Sequence, residues 1–321
     1  MCKKRFTICV MAMVLALAIQ IPVWAAYPEK PLNILVWGNP GAATDILARS
    51  LAAMSEKSFG QPIQVVNKAG GSGIVAMSYL LSKPADGTWC LLNTNSMISV
   101  LHDSPQSFNM DSFDYVIRLV TDPEFIAVRK ESPYKTIEDL IQAAKKKPGE
   151  LKMGGALMGS IAWLVAKQIE KVADVKFNYI PDPGNRDAVV AVLGGHVDVI
   201  VSAMAPMLGV WKSGDMRLLA STSAEPETDV KVPTFVEKKM PSIDQVMWRG
   251  IIMKKGTSPE IVEKLHSTFK KTILSPEWKS QYLDKYQQFQ GYQGPAAFTK
   301  AMKDEEKLTI PLLQSIPKGK K

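Results

Sequence analysis

The hydrophobic pattern of the first third of the chain changes period several times. Leu32-Asn33-Ile34-Leu35-Val36-Trp37 is a nearly continuous apolar run that predicts a strand, and Gly38-Asn39-Pro40-Gly41 predicts a turn. Ile46, Leu47, Leu51, Met54 and Ser58 then fall at helical spacing, ending at Gly60 with Lys57 in the last turn. Ile63-Gln64-Val65-Val66 reads as a second strand, residues 67–73 as a glycine-rich loop, 74–81 as a short helix, Asp86-Gly87 as a turn and 88–93 as a third strand. Strands and helices alternating at this spacing predict parallel pairing through right-handed crossovers.

The pattern restarts after residue 120. Residues 121–129 look extended, and Thr136-Ile137-Glu138-Asp139 has the form of a capping box with Asp in place of Glu. That helix stops at Lys147-Pro148-Gly149. Strands are expected at 151–153, 175–180, 197–201 and 217–220, with helices at 161–172 and 187–193, so residues 121–247 form a second α/β unit. The last 70 residues read as mainly helical: Ser258-Pro259-Glu260 and Ser275-Pro276-Glu277 each place a cap, a first-turn proline and an acid, and Ile261, Leu265, Phe269 and Ile273 make one apolar stripe. Too short of strand for a third domain, this segment is expected to pack back onto one of the two units.

The first residues stand apart. Lys3, Lys4 and Arg5 precede an apolar run to Ile19, and Val23 and Ala25 fit the small residues of an export cleavage site, so residues 1–25 are expected to be a removable signal peptide. The run is shorter than the ~20 residues a membrane span requires. Cleavage would remove three of 39 basic residues and leave 36 against 31 acidic ones, a net charge of +5. The remaining positive residues are dispersed or in short runs such as Lys145 to Lys147, without the basic stripe of a nucleic-acid binder, so no nucleic-acid partner is expected. Of three cysteines only Cys90 would survive, within Trp89-Cys90-Leu91-Leu92, which predicts a buried thiol and no internal disulfide.

In open α/β sheets ligands bind beyond the carboxyl ends of the strands, so the loops after strands carry the functional information. Gly38 to Asp45 offers small residues and the free N–H groups of a helix start, which favour an anion, with Thr44 or Asp45 as the cap. It is neither a dinucleotide fingerprint nor a P-loop. Gly154 to Ser160 precedes a second helix that Ser160 is placed to cap, and Pro181 to Arg186 forms a third loop. Catalytic chemistry is sparse: His196-Val197-Asp198 could offer two metal ligands but lacks a third, His266 is expected at the surface, and no H-E-x-x-H, G-x-S-x-G or cysteine pair occurs. Neither cofactor nor metal is expected.

Tyr27-Pro28-Glu29-Lys30-Pro31-Leu32 and Pro40-Gly41-Ala42-Ala43-Thr44-Asp45-Ile46-Leu47-Ala48-Arg49, with Gly60-Gln61-Pro62, Asn67-Lys68, Ala85-Asp86-Gly87, Leu193-Gly194-Gly195-His196-Val197-Asp198, Val232-Pro233-Thr234 and Gly256-Thr257-Ser258-Pro259, resemble the tripartite tricarboxylate transporter receptors, also called the Bordetella uptake gene family of extracytoplasmic solute receptors. The resemblance implies an α/β, two-lobe periplasmic binding protein fold (type II-like) with a hinge and an interlobe ligand cleft. Lobe I would comprise residues 27–122 and 248–321, and lobe II residues 123–247. It implies a periplasmic, non-enzymatic, monomeric receptor that captures a small organic acid and delivers it to membrane permease subunits. Carried over residue by residue, it implies ligand contacts at Asn39, Pro40, Gly41, Ala42, Ala43, Thr44, Asp45, Thr94 and Asn95 from lobe I, and at Gly155, Ala156, Gly159, Ser160, Gly184 and Ser202 from lobe II. The alternatives are a ligand sensor for a signalling partner and an enzyme on the same fold.

The chain departs from the family pattern at five places, one of them Ala42, which stands where relatives carry a second glycine. Gly38 stands where relatives carry an aromatic residue, which would open the pocket. Asp182-Pro183-Gly184 replaces Tyr-Lys-Gly, so Asp182 would repel a carboxylate unless it faces away or pairs with Arg186. Ser160-Ile161-Ala162-Trp163 replaces a Thr-Ser-Pro-His run, and Ser202 replaces an Asp.

Overall fold

The computed structural model describes residues 27–103, 108–224, 226, 230–286 and 288–316. The expected signal peptide, residues 1–25, lies outside the described residues, as do the terminal Lys318 to Lys321. Among the described residues no helix is long and apolar enough to cross a membrane.

β1 (Leu32–Val36), β2 (Ile63–Asn67) and β3 (Trp89–Thr94) pair in parallel in the order β2-β1-β3. α1 (Ala43–Phe59) and α2 (Ile74–Leu81) make the crossovers, and α3 (Ser96–Asp103) follows β3. Alternation sends Leu32, Ile34 and Val36 to one face of the sheet, against Leu47 and Leu51 of α1, and Leu35 to the other, against Met77 and Leu80 of α2. Cys90 lies fully buried in the first of these layers, as expected, and burial pushes its thiol pKa up.

β4 (Phe113–Arg129) organises the molecule. Its first part pairs antiparallel with β9 (Val246–Lys254), which pairs in turn with β3, while β10 (Phe289–Gln293) lies on its far edge. From Glu124 onward it pairs with β7 (Val199–Ala203) on one side and β8 (Met216–Ser221) on the other. β7 continues through β5 (Lys152–Ala156) to β6 (Asn178–Asp182), all parallel. One strand therefore belongs to two sheet halves. β4 begins at Phe113, earlier than the extended segment expected from residue 121, and β9 and β10 lie in stretches for which no strand was predicted.

The second half is also a three-layer sandwich. α4 (Ile137–Lys146) and α5 (Ile161–Ala173) cover one face, with Leu140, Val165 and Ile169 packed on Ile126, Met153 and Val199. α6 (Asn185–Leu193) and α7 (Met204–Lys212) cover the other, over Phe125 and Ile200. The capping box of α4 forms as predicted: Asp139 N–H donates to Thr136 Oγ1 at 3.1 Å and Thr136 N–H to Asp139 Oδ2 at 2.9 Å.

α8 (Pro259–Ile273) packs its predicted stripe on α1 and β4. His266, expected at the surface, is buried: its ring lies between Glu263 on Nδ1 and the Tyr292 hydroxyl on Nε2, 3.0 Å away. α9 (Pro295–Gln314) returns to the first half with Phe298 and Met302, then continues so that Leu313 and Ile316 pack on Trp163 and Leu164 of the second. The C-terminal segment thus touches both units rather than one.

Candidate functional site

The pairing registers set where the loops meet. In the first half β1 and β3 run parallel, so Gly38 and Asn95 lie just beyond neighbouring strand ends. β9 begins at the same end, with Thr94 opposite Arg249. β4 reaches that end at Pro123, opposite Val246, and enters the second half with Glu124 opposite Ala203. Because β7 is antiparallel to β4, its carboxyl end points back to the junction, and β5 and β6 share its direction. The carboxyl ends of β1, β3, β5, β6 and β7 therefore all open on the junction between the halves. A helix follows each of them within a few residues, which turns helix N-termini toward the junction.

The expected ligand residues gather in two groups at this junction, one per half. In the first, Asn39, Pro40, Gly41 and Ala43 are exposed, Ala42 is half-buried, and Thr44 and Asp45 are buried. α1 starts at Ala43 with Ala42 as a cap lacking a side-chain bond, so neither Thr44 nor Asp45 caps it. Asp45 instead ties the loop down. Its Oδ2 accepts from the Gly41 N–H and from Arg49 Nε, each at 2.9 Å, and its Oδ1 accepts from Asn67 Nδ2 at 2.9 Å. The bond from Arg49 holds the Asp45 carboxyl low, at about 2. Thr94 Oγ1 lies 2.6 Å from Ser96 Oγ. Asn95 Nδ2 donates to the Val246 carbonyl at 2.9 Å and to Glu305 Oε1 at 3.0 Å, so its amide nitrogen anchors β9 and α9.

In the second group, Gly155 is buried with the Tyr179 hydroxyl where a Cβ would stand, and that hydroxyl donates to the Ala156 carbonyl at 2.6 Å. Tyr179 thus fills the space beside Gly155. Gly159, at φ +83°, faces Leu313 of α9 and Ile316 just beyond it. Ser160 caps α5 as expected, accepting from the Trp163 N–H at 3.3 Å. Gly184 is the extended cap of α6. Ser202 is fully buried and its hydroxyl donates to the Ala203 carbonyl at 3.0 Å.

Two departures resolve physically. Gly38 is buried with Thr44 Oγ1 in the path of any Cβ, so its small size meets a close approach and opens no space. Asp182 does not pair with Arg186, which is exposed. Its Oδ2 is enclosed without a hydrogen-bond partner, and burial, then Asp187, raises its pKa. Asp198 is engaged elsewhere, accepting the Lys152 N–H at 2.8 Å.

Three charged residues, two on β4 and one on α9, were not anticipated. Glu124 is buried with Oε2 unpartnered, and burial, reinforced by Asp122, pushes its carboxyl up to about 8. Glu305 of α9 accepts from Trp248 Nε1 at 2.9 Å as well as from Asn95, and burial raises it to about 7. Arg118 of β4 donates through Nε to the Gly291 carbonyl at 2.7 Å. Arg118 interrupts the apolar run from Val116 to Val120, and Glu305 the stripe Phe298, Met302, Thr309, Leu313. Among the described residues no cluster of three His, Cys, Asp or Glu could hold a metal ion.

Residues 47–316 match the profile of the tripartite tricarboxylate transporter family receptor. Protein BugT of Bordetella pertussis is 30% identical over 270 residues, covering 80% of this chain and 81% of that protein. The crystal structure of a TctC solute-binding protein from Polaromonas, without ligand, superposes with a TM-score of 0.83 at 29% identity, over 90% of this chain and all of that one. An R. palustris protein solved with adipate superposes with a TM-score of 0.65 at 24% identity, over 90% of this chain and 98% of that one.

Proposed function

The chain belongs to the tripartite tricarboxylate transporter receptor family, and from that premise we propose that it is a periplasmic receptor that binds a small organic acid at the strand-end junction and delivers it to the membrane subunits of a tripartite transporter. Receptors of this family are periplasmic solute-binding proteins rather than enzymes. The observation that carries the reading is the convergence of five strand ends and their following helices on one junction. Helix N-termini present N–H groups and partial positive charge, which suit a carboxylate without a dedicated cation.

In this reading residues 27–122 with 248–321 form one lobe and residues 123–247 the other. They close as a monomer about the Thr121–Glu124 stretch of β4 and the start of β9. The loop from Asn39 to Asp45, with Thr94 and Asn95, faces Gly155, Ala156, Gly159, Ser160, Gly184 and Ser202. The first group contributes backbone N–H groups at Ala43 and Thr44, the second those at Ile161 and Ala162. Residues 1–25 act as the export signal. Adipate, held by the R. palustris protein of the same fold, defines the ligand class from which to start.

The test is a thermal-shift screen of the chain from Ala26, unfolded and refolded to remove carried-over ligand, against mono-, di- and tricarboxylates. At about 100 times its dissociation constant a ligand stabilises the fold by ~2.7 kcal/mol. A rise confined to one class of acid supports the reading and names the class. No rise with any acid overturns it.

A further inference from the structure

We propose that Arg118 and the cavity beside it form a second binding site, for a small hydroxy acid, at the hinge edge of the molecule and separate from the strand-end junction. The cavity measures about 840 Å³ and lies between β4, β10 and α9 of the first half and residues 222–224, 226 and 244–246 of the second. None of the residues from Asn39 to Asp45 or from Gly155 to Ser160 lines it.

Arg118 is held as a binding group would be. Its Nε bond to the Gly291 carbonyl fixes the guanidinium plane. A Cβ at Gly291 would run into the backbone of Val120 and Thr121, and the β10–β4 register slips between Gln290 and Gln293. The glycine therefore permits the close approach that delivers this carbonyl to Arg118. Among the described residues the guanidinium makes its hydrogen bond through Nε to Gly291, and no carboxylate is in ion-pair contact with it. The charge is nevertheless drawn out of water, since burial lowers the Arg118 pKa to about 10. Glu305 offsets it at longer range, but each oxygen of that carboxylate already accepts a bond, from Asn95 or Trp248. A planar cation that lines a cavity of this size, with no Nη partner among the described residues, matches a carboxylate.

The rest of the wall selects what the carboxylate is attached to. Thr222 Oγ1 accepts the Glu124 N–H at 2.9 Å, so its own hydrogen remains to be donated. Gln245 Oε1 and Gln293 Oε1 are buried acceptors without partners, one from each half. Unpartnered buried acceptors favour a ligand carrying a hydroxyl, and contacts from both halves would link its binding to the hinge.

The experiment follows the Arg118 Nε–H resonance in the ¹⁵N-labelled chain from Ala26, assigned by its loss in Arg118→Gln, with malate, succinate and sodium chloride as probes at matched ionic strength. Malate is expected to displace the resonance saturably, at least tenfold more tightly than succinate, with chloride inactive. An Ala43→Glu variant, which places a negative charge at the start of α1, is expected to leave this response intact, and Arg118→Lys in that background, which lacks the resonance, to weaken at least tenfold the malate-induced shift of the Gln293 side-chain amide resonances. A resonance that malate does not move overturns the proposal, even if carboxylates raise the melting temperature through the strand-end junction. Loss of the response in Ala43→Glu also overturns it, because the two sites would then be one. The melting-temperature screen alone decides the junction reading, so the two failures are distinguishable.

Discussion

Gly38 lacks a Cβ because Thr44 Oγ1 occupies the space beside it. Restoring the aromatic of related receptors with Gly38→Phe is expected to destabilise the fold by about 1–3 kcal/mol, as overpacking does, and Gly38→Phe with Thr44→Gly to recover most of that loss. Urea unfolding measures both, and an unchanged midpoint for the single variant would contradict the packing argument. Glu124 and Glu305 act through protons instead. Both carboxyls are raised by burial above the usual 4.5, to about 8 and about 7, so the folded chain binds more protons than the unfolded one between those values. Their stabilisation is fully present below about pH 4.5 and is lost as pH rises through 7 and then 8. Glu124→Gln is expected to flatten the upper part of that decline, over a range of roughly 2–4 kcal/mol, in unfolding free energies measured from pH 5 to 9. A slope equal to that of the parent chain would show that Glu124 does not titrate there. These residues escaped the sequence because burial and partners set their behaviour. An acid between Pro123 and Phe125 reads as a loop residue until β4 is seen to run through it.

At the scale of elements, what was legible were the helices with caps and the strands with one covered face. Thr136, Ser160, Ser258 and Ser275 all accept the N–H three residues on. Thr136→Ala is expected to lower stability by about 1 kcal/mol, and Thr136→Ser to retain most of it, in chemical denaturation. Equal losses for both would mean that the hydroxyl is not what matters. The missed elements have physical reasons. β9 lies between β3 and β4 and is apolar on both faces, so it has no alternation, and Gly250 at its centre reads as a break. Gly250 is needed because the Phe298 ring and the Ile117 carbonyl stand where its Cβ would be. The stripe of α9 was hidden by Glu305, and Pro311 lies within the helix. The candidate site was legible as loops, through their glycines and their place after strands. The roles of its side chains were not, since Asp45, Asn95 and Tyr179 take theirs from partners distant in sequence.

Over the whole molecule, α9 and the residues that follow it pack against both halves. Its N-terminal part belongs to the first half through Phe298 and Met302, and Glu305 pins its middle to Asn95 and Trp248. Its end reaches the second half, where Leu313 and Ile316 pack against Trp163 and Leu164 beside Gly159. β4 and the start of β9 act as the hinge strands in the proposed closure, so this contact, like that of Phe289 of β10 with Phe125, is a further tie between the halves, and it sits on the loop that leads into α5. Its free energy is therefore divided between holding the chain folded and holding the halves at their present separation. Leu313→Ala leaves a cavity in a buried cluster and is expected to cost about 2–4 kcal/mol in unfolding free energy. It is also expected to enlarge the ligand-free radius of gyration measured by small-angle scattering. If the present separation is the one that binds, a smaller population of it weakens the apparent affinity by the same fraction, so the acid found in the thermal screen should bind the variant more weakly while still compacting it. A radius and an affinity both equal to those of the parent chain, with stability reduced, would show that the end of α9 supports the fold but does not govern the distance between its halves.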